Sequence, residues 1–596
     1  MGLTKLTYRP EIDGLRALAV VPVILFHAGY ETFSGGFVGV DVFFVISGYL
    51  ITSILVADIE RGRFSLVAFY ERRARRILPA LILVMLVCIP FSWMWMLPDP
   101  LENFGQSVVA TTLFANNILL FLTSGYWDLT SEFKPLLHTW SLAVEEQYYL
   151  LFPLFLIGAW RWGKAKLFWL VVGLSFVSLA FAEWSWRNAP EANFFLAPTR
   201  AWELLAGSIT AFLVQRRGVQ SNSLLSMAGL LAILFAIFAF DETTPFPSLY
   251  ALVPVCGVVL FILYAGTDTL SARLMSFRFL VGMGLISYSA YLWHQPIFAF
   301  SRVFARDVPP EWLAPILITC TAALSYASWR FVEQPFRNRN IVSTRVLVST
   351  LSGLSALLVC FGLAAHHSHG FIGRLYDNKV TASDHYIVYN RRNHAYFGSD
   401  FSSGSTTKLL VIGDSFGRDV VNILRETYDL TGVELIYRDD LFACDIPQRA
   451  SQTHLFDGAD LVVFGANFDV TEKSCIETLI RRANSVGAAL FFTGIKQFGY
   501  NLNWVVRVPE EERASLRNHP LPDAIAEDEQ ASRAIPAPHY ISMMKPLTNA
   551  SGILITDDRG YLLSGDRTHL TRYGAIYVGR KVFRDSAISD LLPLKQ

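Results

Sequence analysis

A serine, an aspartate and a histidine in the C-terminal third have the types and spacing of a nucleophilic triad. Ser415 ends the run LLVIGDS and precedes a helical stretch, which predicts a hydroxyl exposed at a strand-to-helix turn. The N-terminus of that helix favours developing negative charge at the hydroxyl. The segment GDRTHLTRYG places Asp566 three residues before His569, so Asp566 can orient His569 while His569 deprotonates Ser415. The pattern predicts acyl chemistry on a serine.

The elements around these residues predict an α/β fold. From about residue 405, the runs KLLVIGDS, VELIY, ADLVVFGAN and ALFFTGI alternate with helical stretches, which is typical of a parallel sheet with crossover helices. Asn467 follows the third run, where its side-chain amide can donate a hydrogen bond to an oxyanion. We therefore predict an α/β domain over residues 405–596, joined to the preceding part by a polar linker over 367–404.

The composition of the whole chain excludes a single soluble enzyme. Of its 596 residues, 53% are hydrophobic, 14% are aromatic and only 17% are charged, against about 25% charged residues in soluble domains. The formal net charge is zero, so nothing favours a nucleic-acid partner. The six cysteines lack metal-ligand spacing, which predicts no metal site. Cys444 and Cys475 lie in the polar C-terminal part and can pair if that part is extracytoplasmic.

The first 365 residues alternate apolar stretches with short polar loops, and a membrane-spanning helix needs about 20 mostly apolar residues. We read the first apolar stretch as a retained helix and not as a cleaved signal peptide. The shorter stretch 107–123 carries two asparagines, which favours an interfacial or re-entrant segment. The pattern predicts eleven spans, near 15–31, 36–56, 78–97, 137–160, 165–183, 198–214, 224–240, 248–265, 279–300, 312–331 and 345–365.

The distribution of Lys and Arg predicts the orientation of these spans, because positive charge concentrates in cytoplasmic loops. With the N-terminus inside, each inner loop carries two or more basic residues, whereas the outer loops PDPLEN, DETTPFPS and ARDVPPEW are acidic or mixed. Eleven spans then place the C-terminal part outside the cytoplasm.

Ionisable residues inside the spans are functional candidates, because a charge in the hydrocarbon region is costly. Arg16 and His27 are eleven residues apart, about three helical turns, so they share one face of the first helix. Snorkelling of the arginine and packing of the histidine are the alternatives to a functional role. Further candidates in the predicted outer halves are Asp41, Glu145, Glu146, Arg200, Glu203 and His294. So many groups favour a polar cavity within the bundle.

A cluster of four arginines marks the predicted cytoplasmic surface. The motif FYERRARRILP contains Arg72, Arg73, Arg75 and Arg76. These side chains can bind the phosphates of an anionic donor, although topology and contact with lipid headgroups are an alternative explanation. Glu333, in FVEQPFRNRN, is expected at the same surface, where it can orient the arginines.

Five segments of the first 340 residues resemble, in order, the integral-membrane acyltransferase 3 family: YRPEIDGLRALAVVPVILFHAG, GGFVGVDVFFVISGYLI, SLAVEEQYYL, SYSAYLWHQPI and FVEQPF. The resemblance implies an acyl-CoA donor, commonly acetyl-CoA, used at the cytoplasmic face. It also implies transfer to an extracytoplasmic glycan or lipid. The arginine and histidine of the family fall on Arg16 and His27, and its acidic position falls on Glu145 or Glu146.

The C-terminal motifs resemble the SGNH hydrolase/transferase family. The GDS block falls on Ser415, the GAN block on Asn467, and the DxxH block on Asp566 and His569. The family usually has a glycine donor after the second strand, but VELIYRDDLFACD has none there, and Gly432 precedes that strand. The oxyanion hole is therefore expected to rely on the amide of Ser415 and on Asn467.

Together these features predict a multi-pass helical bundle (1–340), an additional span (341–366) and an extracytoplasmic three-layer SGNH-like domain. The combination resembles bacterial O-acetyltransferases of surface polysaccharides, especially O-antigen or lipopolysaccharide. It implies an inner-membrane enzyme that moves acetyl from acetyl-CoA to a lipid-linked or growing glycan, with Arg16 and the arginine cluster binding the donor. His27 and an outer-half carboxylate would transfer the acetyl group or act as base. A membrane-anchored carbohydrate acetylesterase and a glycan transporter remain alternatives, and the oligomeric state is open.

Overall fold

The computed structural model divides the chain into two compact units. The helical unit comprises Met1–Phe91, Phe104–Ser301 and Pro309–Ala364, and the α/β unit comprises Ser92–Asn103, Arg302–Val308 and Ala365–Gln596. The residues that the structure describes are 8–123, 131–376, 379–381, 384, 386–398, 400–402, 404, 406–448, 450–466 and 473–595.

The N-terminal two thirds of the described chain are helical. The α-helices of six or more residues are Pro10–His27, Gly39–Glu60, Leu66–Trp95, Pro98–Thr112, Asn116–Thr123, Thr139–Trp160, Lys164–Asn188, Pro190–Phe195, Ala197–Arg217, Ser223–Ala239, Leu252–Tyr264, Leu270–Met275, Arg278–Leu285, Ser287–Phe304, Leu313–Ser328 and Thr344–His367. Five helical segments of the described residues are long and apolar enough to cross a membrane: Gly36–Glu60, Leu66–Trp95, Thr139–Trp160, Lys164–Asn188 and Thr344–His367. Two shorter apolar helices, Ser223–Ala239 and Leu249–Tyr264, accompany them.

Each of the eleven predicted spans overlaps one of these helices, but the number that crosses the membrane stays a prediction. Two predictions of extent were wrong: the predicted span 279–300 is divided between Arg278–Leu285 and Ser287–Phe304, and the helix expected to begin at residue 78 begins at Leu66. The arginine cluster therefore lies within a helix and not in a loop. Arginine is a good helix former, and the Glu71–Arg75 pair at spacing four stabilises this turn. The stretch 107–123 divides between two helices, Pro98–Thr112 and Asn116–Thr123.

Glycines allow two helices of the helical unit to approach closely. A Cβ on Gly48 of Gly39–Glu60 would lie 1.9 Å from the carbonyl oxygen of Leu204, and one on Gly207 of Ala197–Arg217 would lie 2.1 Å from that of Val45. Small residues at such an interface let helix backbones pack in direct contact. Any side chain at either position would force the two helices apart.

The α/β unit is built on a parallel sheet. Its strands are β1 (Thr407–Ile412), β2 (Val433–Arg438), β3 (Leu461–Gly465), β4 (Ala489–Thr493), β5 (Arg517–Asn518), β6 (Tyr540–Ile541), β7 (Thr548–Asn549) and β8 (Gly552–Leu554). Five of them form the parallel sheet in the order β2-β1-β3-β4-β6, and β5, β8 and β7 form a small antiparallel sheet. The predicted α/β fold with a parallel sheet is confirmed.

Helices cover both faces of the parallel sheet. Leu409 and Val411 of β1 pack into a core with the helices Ser415–Thr427 and Arg572–Val578. The alternate residues of β1 pack into a second core, with the helices Ala450–Asp457 and Lys473–Val486. Burial on both faces explains why the strands read as continuous apolar runs. At this second core, Cys444 and Cys475 form a disulfide with a Cα–Cα distance of 5.5 Å.

Candidate active sites

Ser415 lies where β1 turns into a helix. The side chain of Asp414 caps the helix Ser415–Thr427 by accepting a 2.9 Å hydrogen bond from the backbone N–H of Phe416. A Cβ on Gly465, at the end of β3, would lie 2.4 Å from the backbone of Gly417. Two glycines therefore let the first turn of the helix pack directly against β3, which fixes the position of Ser415.

The predicted triad is assembled within hydrogen-bond distance. His569 Nε2 lies 2.7 Å from Ser415 Oγ, and His569 Nδ1 lies 2.6 Å from Asp566 Oδ2. The other carboxylate oxygen of Asp566 accepts hydrogen bonds from the backbone N–H groups of Thr568, at 2.7 Å, and His569, at 2.9 Å. Asp566 thus holds both the ring and the backbone of His569. This is the geometry of a serine nucleophile with a base and an orienting carboxylate.

The environment of Asp566 keeps its carboxylate ionised. Burial opposes ionisation, but the charge and hydrogen bonds of His569, together with the N–H of Thr568, outweigh burial and lower the pKa of Asp566 below its usual range. An anionic Asp566 favours the tautomer in which Nδ1 of His569 carries the proton. Nε2 is then the nitrogen that accepts a proton from Ser415.

The predicted oxyanion donors are placed only in part. Ser415 lies at the start of its helix, whereas Asn467 lies outside the residues that the structure describes. Gly432 precedes β2 beside Thr407, the first residue of β1, and so lies at the opposite end of the sheet from Ser415. Gly432 is therefore excluded as an oxyanion donor.

The helical unit contains a cavity of about 210 Å³. Its ionisable lining residues are Arg16, Arg73, Arg76, Glu145, Tyr149, Tyr288 and Tyr291, and serines and apolar side chains complete the wall. Arg16 comes from Pro10–His27 and Glu145 from Thr139–Trp160, so the structure brings together two site residues that are far apart in the sequence. Ser47 and Tyr149 donate hydrogen bonds to Glu145 Oε1, which hold its carboxylate at the cavity.

The four arginines of the cluster have different environments. Arg73 and Arg76 line the cavity, but Arg72 is exposed and pairs with Asp58 at 3.3 Å. Arg75 is buried, pairs with Glu71 at 2.9 Å, and donates hydrogen bonds to the carbonyl oxygens of residues 336 and 342. Only Arg73 and Arg76, three positions apart on this helix, line the cavity, whereas Arg72 and Arg75 have partners elsewhere. We therefore narrow the donor-binding candidates from four arginines to Arg73 and Arg76.

Glu333 does not form an ion pair with this cluster among the described residues. It pairs instead with Arg337 at 2.7 Å and accepts a hydrogen bond from Ser289. Spacing four on one helix explains this preference for Arg337. Glu71 is the carboxylate that pairs with Arg75 of the cluster, and it also pairs with Arg339. Glu333 interacts with Arg76 only through charge at longer range, so its role in orienting the cluster stays a prediction.

Three more of the candidate charges form a buried ion cluster. Arg200 lies 3.2 Å from Asp41 and 3.3 Å from Glu203, and all three side chains are at most 1% exposed. The guanidinium of Arg200 also lies over the rings of Phe44 and Trp140, at 5.6 and 5.5 Å from their centroids. Arg200 thus pairs with Glu203 of its own helix, Ala197–Arg217, and with Asp41 of Gly39–Glu60. The cluster therefore holds two helices together.

His27 belongs to a group of three histidines. Its ring centroid lies 5.1 Å from that of His294, which lies 5.3 Å from that of His138. The Nδ1 atoms of His27 and His294 donate hydrogen bonds to the carbonyl oxygens of residues 23 and 291, at 2.8 and 2.6 Å. These bonds leave Nε2 of each ring as the acceptor nitrogen of the neutral form. His138 was missed from the sequence, although it precedes the helix that carries Glu145.

A helical unit with a basic cavity, followed by an α/β unit with a serine triad, defines a class of membrane-associated enzymes that handle acyl groups. Residues 9–330 match the acyltransferase 3 family, described as an acyltransferase domain. The match covers more than half of the chain. The protein belongs to this family.

Two relatives extend the comparison. The chain is 33% identical over 357 residues to a protein of Listeria monocytogenes named Peptidoglycan O-acetyltransferase OatA, covering 56% of this chain and 57% of that protein. It is 31% identical over 350 residues to a protein of Staphylococcus aureus named O-acetyltransferase OatA, covering 56% of this chain and 58% of that protein. The chain thus spans less than two thirds of the length of either relative.

Proposed function

We propose that the protein is an O-acetyltransferase of the bacterial inner membrane that moves acetyl from cytoplasmic acetyl-CoA to a sugar hydroxyl of a surface polysaccharide. The observation that carries the proposal is the hydrogen-bonded array of Ser415, His569 and Asp566 on the same chain as an acyltransferase domain. A donor-using domain and a separate serine nucleophile together suit transfer in two stages.

The cavity of the helical unit suits the donor. Arg73 and Arg76 supply the positive charge that binds phosphate groups, and Arg16 and Glu145 line the same space. Pockets for drug-sized ligands measure roughly 300–1,000 Å³, and this cavity of about 210 Å³ is smaller, which suits the thioester arm of acetyl-CoA better than the whole donor. Arg16 with the two cluster arginines then binds the donor, and Glu145 assists transfer with His27.

The triad of the α/β unit suits the second stage. Ser415 Oγ attacks the acetyl carbonyl carbon while His569 Nε2 takes the serine proton, and the leaving group receives that proton as its bond to the acetyl carbon breaks. An acetyl ester on Ser415 then reacts with the acceptor hydroxyl, whose proton passes to His569. Serine is free again when the sugar ester has formed. Asn467 and the amide of Ser415 are proposed to stabilise the oxyanion.

The disulfide supports an extracytoplasmic α/β unit, because such bonds persist in oxidising compartments. A reporter fused near residue 390 should then be active only outside the cytoplasm, and one fused near residue 340 only inside. Activity of the first fusion in the cytoplasm would refute the two-sided mechanism.

Two acceptor polysaccharides are supported by different observations. The resemblance to SGNH-fused O-acetyltransferases favours O-antigen or lipopolysaccharide, whereas the name of the listerial relative favours peptidoglycan. A membrane-anchored acetylesterase and a glycan transporter are the rivals of a transferase. The esterase removes acetyl from glycans without a need for Arg16, and the transporter moves glycan without acetyl-CoA.

Deleting the gene and comparing both polysaccharides by NMR tests the proposal. We expect O-acetyl signals to disappear from either the lipopolysaccharide or the peptidoglycan fraction and to return with the intact gene. The fraction that changes identifies the acceptor. An increase in acetylation upon deletion would support the esterase, and unchanged acetylation of both fractions would refute transfer to these acceptors.

A further inference from the structure

We propose that Asp419 and Lys496 form a buried positioning pair for the triad, in which Asp419 fixes the backbone beside His569 and Lys496 compensates the buried charge of Asp419. The inference rests on the serine triad of the proposed function and adds two residues that contact neither donor nor acceptor.

Asp419 links the nucleophile helix to the loop that carries the base. It lies four residues after Ser415 on Ser415–Thr427, so both side chains project from one face of this helix. Asp419 Oδ2 accepts a 2.8 Å hydrogen bond from the backbone N–H of Leu570, the residue that follows His569. Asp566 holds the same loop from within, through the N–H of His569. The loop is thus fixed on both sides of the catalytic histidine.

Lys496 compensates the charge of Asp419 in the interior. It follows β4 by three residues, and its Nζ lies 3.0 Å from Asp419 Oδ2 and 3.8 Å from the centroid of the Phe416 ring. The side chains of Lys496 and Asp419 are 1% and 0% exposed. The Phe416 ring in turn lies 6.1 Å from the ring of His569. The cation therefore lies beside the nucleophile turn, and the Phe416 ring neighbours both the cation and the base.

Burial makes the pair strongly interdependent. Burial lowers the pKa of Lys496, and the charge and hydrogen bond of Asp419 oppose this shift. Arg418 supplies a second cation, 3.6 Å from Asp419 Oδ1. Removing one partner of a buried ion pair leaves an uncompensated charge, which is strongly unfavourable. Loss of Lys496 would therefore leave the buried carboxylate of Asp419 with Arg418 as its cationic partner, and would weaken its hold on the loop.

The charges around His569 set the sign of the expected pH effect. Asp566 contacts the ring from its own loop, and the charges next to Lys496 are Asp414, Arg418 and Asp419 of the nucleophile turn and helix. Loss of the Lys496 cation leaves the surroundings of His569 more negative. This change favours the imidazolium form, which cannot act as a base. The fall in the rate of Ser415 reaction on the acidic side of the pH profile (its acidic limb) therefore moves to higher pH.

The test measures how fast a biotinylated fluorophosphonate labels Ser415 in the full-length protein in membranes, from about pH 5 to 9, the range in which histidines titrate. Labelling forms a bond from Ser415 Oγ to phosphorus and releases fluoride, while His569 takes the serine proton. The Ser415→Ala protein gives the background. The final labelled fraction counts the folded molecules, so the rate constant is independent of abundance.

We expect Lys496→Met to move the acidic limb upward by roughly half to one pH unit, a Coulomb effect of the size expected for a charge about 10 Å away in partly polarisable surroundings. Lys496→Arg should restore the wild-type profile.

Asp419→Val, which removes the acceptor of the Leu570 N–H, should slow labelling by about 10- to 100-fold. Asp419→Asn keeps an acceptor oxygen and should lose less than about fivefold. The exposed Lys581 provides Lys581→Met as the matched control.

A wild-type profile and rate for Lys496→Met would overturn the proposal, and so would equal rates for Asp419→Val and Asp419→Asn. If the Met or Val variants do not fold, a Lys496→Arg or Asp419→Asn protein that folds but labels as slowly as background would overturn it too. Labelling of the wild-type protein that persists in Ser415→Ala would refute the triad itself, and the proposed function with it. A wild-type triad with unaffected variants refutes only the positioning pair.

Discussion

The two units organise their polar residues in contrasting ways. In the α/β unit, one chain of short hydrogen bonds runs from Asp566 through His569 to Ser415. In the helical unit, the candidate charges form three separate groups: the lining of a cavity, a buried ion cluster and a group of histidines. Two short segments supply the first arrangement, whereas residues from five helices line the cavity.

This difference shows what a buried charge means in each setting. Every charge inside a membrane is costly. By that criterion alone, Asp41, Arg200 and Glu203 were functional candidates in the same way as Arg16 and Glu145. The structure separates them by their partners. Arg200 pairs with Asp41 across two helices, whereas Arg16 and Glu145 line a cavity that a ligand can enter. The following variants test the contrast between the two units and between structural charges and cavity charges, in order of decreasing expected effect.

The largest loss should follow Ser415→Ala. Removing a serine nucleophile from a triad costs up to about 10⁶-fold in rate, so glycan acetylation should fall below detection while acetyl-CoA consumption at the helical unit continues in part. Acetate released from the glycan by mild base, and CoA formed by the same membranes, measure the two. The exposed Ser485 provides Ser485→Ala as the control. Full glycan acetylation by Ser415→Ala would mean that the helical unit transfers acetyl directly.

Asp566→Asn should cost about 10⁴-fold, because it removes the orienting group and leaves the attacking pair. Its lowered folded pKa means that the ionised carboxylate stabilises the fold fully above the usual aspartate range, and that this contribution is lost only as the pH falls through the lower folded value. The stability of Asp566→Asn should accordingly depend less on pH at the acidic end. Labelling rates and acid unfolding midpoints, with the exposed Asp585→Asn as control, check both effects.

Arg76→Ala and Arg72→Ala separate a cavity arginine from its exposed neighbour. A charge-assisted hydrogen bond contributes about 1.5–3 kcal/mol, so Arg76→Ala should raise the KM for acetyl-CoA by about tenfold or more. Arg72→Ala should change it less than about twofold, since an exposed ion pair contributes little. The KM is measured from CoA release in membranes. Equal effects of the two variants would contradict the division of the cluster.

The smallest effect on chemistry, but a clear one on stability, should follow replacement of both Cys444 and Cys475 by serine. The disulfide spans 31 positions of the sequence, and closing a loop of this length stabilises a fold by about 3–4 kcal/mol in the chain-entropy description. Urea unfolding followed by protease susceptibility of the α/β unit measures the loss. Cys320→Ser, at an unpaired exposed cysteine, serves as control. Unchanged stability would show that the α/β unit does not depend on the bond.

Much of the α/β site could be predicted from the sequence because its residues follow local rules. Ser415 lies at a strand-to-helix turn, and Asp566 and His569 share one short loop, so spacing alone placed them. The partners Asp419 and Lys496 were missed, although an aspartate one helical turn after the nucleophile is a visible signal. The burial of Lys496 was harder to predict, because a lysine that follows a strand is usually a surface residue, and only the tertiary structure buries it.

The sequence by itself determined the helical and α/β character of the two parts, the residues of the triad and the acyltransferase family. Hydrophobic periodicity and local spacing act within one element, so they can be read along the chain. Only the tertiary structure decided that Arg73 and Arg76 share a cavity with Arg16 and Glu145, while Arg72 and Arg75 do not. Which side chains meet across helices depends on helix rotation and close packing between distant segments, and no local pattern specifies either.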